Sequence, residues 1–334
     1  MMRLFSRKAP RAAEARTGKL KLVLHVGPHK TGTTSLQKAL LKQHGSEDPQ
    51  AIWYPLPEDF RPGHASKVWK MLGQGGYSPS PAIGQSVEHA KKTLACQSLI
   101  LSSEVFATTF PNRVQPLVEQ TVDTDMHIVI TLSPIGRRAV STWQETVKHG
   151  SLVSLDDALD AVLNGPGLKP HFVRFFADNF PEAKISVIVA DRKAPESLYG
   201  MFGEATGIPL ATPRTAKELV ANRSLGLIEA KILSSLNTGA EEASLTLENY
   251  HKAYSLLRNQ FKSKEWRTVV PMIPLTLPAD WVGPLRMLST ATIADIKELE
   301  AKGRITVFGD IDSLDDLEPR PEESDTPRDG KELP

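Results

Sequence analysis

Apolar residues in this chain fall in short runs separated by stretches with helical spacing. Leu20–Val26 (LKLVLHV) is a short, mostly apolar run that ends at a glycine, which predicts a buried strand. Leu99–Leu101, His127–Leu132 (HIVITL) and Ile185–Ala190 (ISVIVA) repeat the pattern, and Ile305–Phe308 is a candidate last strand. Between them the period changes. Thr33–Lys42 places Leu36, Leu40 and Leu41 at helical spacing, and Ile135–His149 places Ile135, Ala139 and Trp143 on one face. Helices are also predicted over Pro195–Thr206, Arg223–Leu236, Leu245–Phe261 and Leu285–Lys302. Strands alternating with helices predict an α/β fold, a three-layer sandwich around a mostly parallel sheet. Ligands of such sheets bind at the carboxyl ends of the strands.

Trp53–Pro81 is rich in Gly and Pro and reads as a long loop with a short helix around Lys67–Leu72. Residues 1–19 carry six Lys or Arg against Glu14 alone and lack an apolar core, so they read as a flexible basic tail, not a secretory signal. An arginine-rich start also fits a mitochondrial transit peptide, but Ser and Thr are sparse there. Residues 320–334 read as an acidic, disordered tail. That leaves 20–319 as one domain.

Charge narrows the function. Lys plus Arg is 40 and Asp plus Glu is 39, which argues against a nucleic-acid coat or a membrane-surface protein. No apolar run approaches the roughly 18 residues of a membrane span. The single cysteine, Cys96, excludes an internal disulfide and any zinc site with two thiolates. No spacing of His, Cys or carboxylates suggests a metal site. The expectation is a cytoplasmic protein with no metal, no nucleic-acid partner and no integral membrane segment.

The most informative segment is GPHKTGTTSLQ, Gly27–Gln37, between the first strand and the first helix. Glycines let successive backbone N–H groups turn toward one anion, and the helix N-terminus adds partial positive charge. Lys30 and the hydroxyls of Thr31, Thr33 and Thr34 reinforce a phosphate cradle. A nucleotide triphosphatase loop, G-x-x-x-x-G-K-[ST], has its lysine directly after the second glycine. Thr33 stands there, and Lys30 comes two residues before Gly32, at the loop apex.

The segment His25–Gln37 resembles the donor loop of sulfotransferases that use 3′-phosphoadenosine 5′-phosphosulfate (PAPS), a family with a P-loop-NTPase-like fold. His127–Gly150 (HIVITLSPIGRRAVSTWQETVKHG) is similar to that family's 3′-phosphate-binding strand and helix, closest to a bacterial branch with S-x-W-Q-E and K-H-G runs. Asn222–Leu233 and Gly309–Pro319 resemble other segments of that branch. The resemblance implies that Gly27, His29, Lys30, Thr31, Gly32, Thr33 and Thr34 hold the 5′-phosphosulfate and that Lys30 stabilises the leaving oxygen. It implies no metal. The family has an arginine eight residues before the helix serine; here that position is Ser133, before Ser141. Arg137, one turn before Ser141, is the natural substitute for holding the 3′-phosphate, whereas Arg138 lies about 100° round the helix, on the side expected to face solvent.

Sulfuryl transfer to a hydroxyl benefits from a base. Glu104, just after a strand, is the first candidate and His64 the second. Trp143 reads as core. Gln144 and Lys148 are candidates to line an acceptor site, and Arg192 to reach the nucleotide. The acceptor is a hydroxyl on a glycan, a lipid or a small metabolite. Two other classes remain open: a P-loop small-molecule kinase using ATP and magnesium, and a non-catalytic binding protein on the sulfotransferase scaffold, suggested by Ser133.

Overall fold

The computed structural model describes residues 18–44, 52–55, 64–73, 78–94, 96–108, 111–164, 171–190, 194, 196–212, 225–270, 273, 275 and 277–317. The basic start, the acidic end and Arg192 lie outside these. Six strands form one sheet: β1 (Leu20–Val26), β2 (Ile52–Trp53), β3 (Ser98–Ser102), β4 (Thr124–Leu132), β5 (Lys184–Val189) and β6 (Thr306–Phe308). Their order is β2-β3-β1-β4-β5-β6, and every pair is parallel. The chain leaves β1 in one direction to build β3 and β2, then in the other to build β4, β5 and β6. The switch occurs at β1, so a crevice is expected beside its carboxyl end.

The helices are α1 (Thr33–His44), α2 (Ala65–Leu72), α3 (Ala82–His89), α4 (Pro111–Thr121), α5 (Ile135–Lys148) and α6 (Leu155–Asn164). After them come α7 (Phe172–Asn179), α8 (Ser197–Thr206), α9 (Leu227–Glu242), α10 (Leu247–Lys262), α11 (Lys264–Val269) and α12 (Ala279–Ala301). Strand side chains alternate between two faces, and both faces are covered. Leu22, Leu24, Leu101, Ile130 and Val187 pack with α2, α3, α4, α7 and the end of α12. Val23, Ile100, Val129 and Ile188 pack with α1 and α8. The result is a three-layer α/β sandwich. A third apolar cluster joins α5 to α6, α9, α10 and the start of α12, and it buries Ile135, Ala139 and Trp143 as their spacing predicts. Trp143 also donates through Nε1 to the Val153 carbonyl at 2.9 Å. Among the described residues no helix is long and apolar enough to cross a membrane.

The loop read over Trp53–Pro81 begins with β2 and contains α2. Helices α3, α4, α6, α7 and α11 carry no sequence prediction, and α12 starts six residues before Leu285, continuing past Pro284.

Candidate functional site: the loop after β1

The turn from β1 into α1 is tightly constrained. A Cβ on Gly27 would lie 2.4 Å from both Thr131 Oγ1 and Thr33 Cγ2, so only glycine fits. Gly32 has φ +86° and opens α1, its carbonyl accepting from the Ser35 and Leu36 N–H groups at 3.1 and 3.2 Å. Lys30 has φ +69°, a left-handed conformation that costs a residue with a side chain about 1 kcal/mol. Ser133 helps to hold it there by donating to the Lys30 carbonyl at 3.3 Å. Among the described residues, no backbone carbonyl accepts from the N–H groups of Lys30 through Thr34. Consecutive unused donors at a helix start are the elements of an anion site.

Beneath the loop runs a buried polar chain. Thr31 donates its one proton to the Pro28 carbonyl at 2.9 Å, so Thr131, 3.1 Å away, must donate to Thr31. Thr131 then accepts from His25 Nε2 at 3.2 Å, and His25 Nδ1 accepts from Ser102 at 2.7 Å. Gln37 donates to Ser102 Oγ at 3.1 Å. This polarity requires a neutral His25, and burial does push its pKa down to about 4. The chain ties β1, β3, β4 and α1 together under the loop, and it commits the Thr31 hydroxyl to the interior.

His64 is locked in the same corner. Its Nδ1 accepts from the Ser102 N–H at 2.8 Å, and its Nε2 donates to the Pro55 carbonyl. The ring is fully buried, and burial drives its pKa down to about 3. With both nitrogens committed to backbone, His64 has no lone pair for an acceptor proton, so its place among the candidate bases is corrected to a structural one.

Glu104 opens a 3-10 turn (Glu104–Thr108) directly after β3. Its Oε1 accepts from the Thr33 hydroxyl and its Oε2 pairs with His29 Nδ1 at 2.8 Å. Burial alone would raise its pKa; the hydrogen bonds from His29 and Thr33 and the Lys30 charge outweigh that and hold it below the usual carboxylate range. His29 moves the other way, raised mainly by its hydrogen bond to Glu104.

On the opposite side, Lys30 Nζ lies 2.8 Å from Glu145 Oε2. Glu145 also meets Lys148 at 3.5 Å and His149 at 3.4 Å. Burial opposes its ionisation, but Lys30, Lys148 and His149 bring its pKa down to about 2. Glu145 is the site residue that sequence reasoning missed. The signal was present, since Arg137, Ser141, Glu145 and Lys148 recur every three or four residues along one face of α5.

The structure thus brings Gly27, His29, Lys30, Thr33 and Glu104 together, and it sets Glu145 of α5, the helix that bears Arg137 and Ser141, against Lys30. Arg138 departs from expectation. It is 5% exposed, because α5 is covered on most of its circumference. Among the described residues its Nε has no hydrogen-bond partner and no carboxylate pairs with it. Burial brings its pKa down to about 9. Gln144 is likewise buried, clamping the Leu225 backbone at 2.9 and 3.2 Å. Among the described residues, no group of three or more His, Cys, Asp or Glu is arranged to hold a metal. No protein-family model matches the chain, and no curated protein matches it in sequence.

Proposed function

We propose that the chain moves a sulfuryl group from PAPS to an acceptor hydroxyl on a glycan, a lipid or a small metabolite. The observation that carries this reading is Lys30. It sits at the apex of the glycine loop in a left-handed conformation, and its ammonium reaches Glu145 on α5, the helix that carries Arg137 and Ser141. In this reading the N–H groups of Lys30 to Thr34 and the Thr34 hydroxyl cradle the 5′-phosphosulfate. Lys30 exchanges Glu145 for the leaving phosphate oxygen, and Arg137 with Ser141 takes the 3′-phosphate. Thr31 and Thr33 contribute backbone only, because their hydroxyls are engaged at Pro28 and Glu104. Positioning and charge stabilisation supply the rate, as in phosphoryl transfer.

Calorimetry with 3′-phosphoadenosine 5′-phosphate (PAP), adenosine 5′-phosphosulfate and ATP, each with and without magnesium, tests the reading. PAP is expected to bind most tightly and without magnesium. Arg137→Ala is expected to cost about 1.5–3 kcal/mol for PAP, the scale of a charged hydrogen bond, and little for adenosine 5′-phosphosulfate. Equal losses for both ligands would remove Arg137 from the 3′-phosphate. Arg138 is no neutral control, since its substitution changes the core.

A second reading has one observation in its favour. In P-loop enzymes a hydroxyl at the helix start and a strand-end acid hold magnesium, and Thr33 lies against Glu104 here. Preference for ATP with magnesium in the same titrations would replace the sulfotransferase reading by a kinase. Absence of PAP binding and turnover would leave the non-catalytic reading.

A further inference from the structure

We propose that His29 is the catalytic base of this site and that Glu104, the more obvious candidate, is its positioning residue. The inference rests on the sulfotransferase reading above. Each Glu104 oxygen already accepts a hydrogen bond, one from Thr33 and the other from His29 Nδ1 at 2.8 Å, which stabilises the anion. A carboxylate that already accepts two hydrogen bonds and neighbours an ammonium is a weak proton acceptor. The imidazole is placed the opposite way. Donation from Nδ1 to Glu104 fixes the tautomer, which puts the lone pair on Nε2. The side chain is 63% exposed, and Nε2 has no partner among the described residues.

The backbone explains why two neighbouring residues can serve two ends of one reaction. Lys30 has φ +69°, and its side chain runs to α5, while that of His29 runs to the turn after β3. A cation for the leaving group and a base for the nucleophile therefore stem from one dipeptide and diverge. In the transfer step the acceptor oxygen forms a bond to sulfur as its proton passes to His29 Nε2. The bond between sulfur and the 5′-phosphate oxygen breaks, and its electron pair stays on that oxygen, beside Lys30. The products are the sulfate ester and PAP, and the imidazolium returns its proton to solvent.

Three charged groups act on His29: Glu104 from the 3-10 turn, Lys30 from its own loop and Glu145 from α5. Glu104 dominates and raises the pKa, so Glu104→Gln lowers it. Because the base must be neutral, the rate rises with pH through the pKa of His29.

The test uses the full chain, PAPS as donor and water as the acceptor, with PAP release read over pH and PAP binding read by calorimetry. His29→Gln is expected to lose about 10²–10⁴-fold in release and to keep PAP affinity within a few-fold. Glu104→Gln is expected to lose less and to move the acidic limb to lower pH, a displacement that a merely structural role would not produce. Retained release in His29→Gln would overturn the assignment, as would a Glu104→Gln variant that loses all release with the limb unmoved. A parent that neither binds PAP nor releases it from PAPS would overturn the donor reading, and the base with it. A parent that binds PAP and releases it from PAPS, with both variants releasing it as fast as the parent, overturns the base alone.

Discussion

The two sides of the loop after β1 are each organised around one carboxylate, and they differ in what that carboxylate holds. On the β3 side Glu104 accepts from a hydroxyl and an imidazole, with both oxygens used and geometry fixed. On the α5 side Glu145 gathers three cationic or protonatable groups, Lys30, Lys148 and His149, within 3.5 Å. Glu104 defines a tautomer and a direction. Glu145 neutralises charge, a task that in the proposed reaction passes to the incoming anion. In that reading one side is a fixed part of the site and the other is exchangeable, even though the residues that reach them, His29 and Lys30, are adjacent in the chain.

The sharpest way to break this comparison is Lys30→Ala. Its ammonium meets Glu145 and no other described carboxylate, so the fold is expected to survive while PAP release from PAPS falls about 10²–10³-fold, the loss typical of one transition-state donor. A near-parental rate would remove Lys30 from the chemistry. Gly27→Ala disturbs both sides at once, because the new methyl meets Thr131 and Thr33. It is expected to cost about 1–3 kcal/mol in urea unfolding, as overpacking does, and to weaken PAP binding. Unchanged stability would mean that the loop has slack the geometry does not show.

Glu145→Gln separates the sides. It frees Lys30 from its resident anion and is expected to tighten PAP about tenfold, or 1.4 kcal/mol, in calorimetry. Weaker binding would make Glu145 a part of the ligand site and not a placeholder. The smallest effect is on acid stability. Glu145 has a folded pKa of about 2 against an ordinary 4.5, so its contribution is complete above about pH 4.5 and is lost as pH falls toward 2. With a third of the side chain exposed, screening leaves about 1 kcal/mol at most. Urea midpoints measured from pH 6 down to pH 3 are expected to fall more steeply in the parent than in Glu145→Gln, and parallel curves would refute the assignment.

What the chain reveals before folding follows the range of the interaction. The run LKLVLHV becomes β1 at its predicted bounds because burial on both faces needs only local composition. The glycine loop is also legible, since its curvature depends on Gly27, Gly32 and the hydroxyls beside them. Helix α7 (FVRFFADN) did carry a local signal that sequence reasoning missed: Phe172, Val173, Phe176 and Ala177 recur at helical spacing and all enter the main core. Helix α12 begins at Ala279 because Leu285 and Leu288 anchor the segment around Pro284. In the site, the contact between Lys30 and Glu145 spans 115 residues and exists only once α5 docks. The locking of His64 depends on the Ser102 backbone, and Arg138 is buried because neighbours cover a side that a helical wheel assigns to water.

The last described stretch has a consequence for timing. Strand β6 pairs with β5, Leu314 enters the main core, and Leu317 packs on Gly136 at the start of α5, where an added Cβ would come within 2.9 Å of it. A ribosome delivers the loop, β4 and α5 long before it delivers these residues. Until then the growing chain presents an open β5 edge, the kind of surface on which strands from other chains pair. Helix α5 is therefore sealed by a late-synthesised stretch, and a nascent chain holds the loop after β1 before it has that seal.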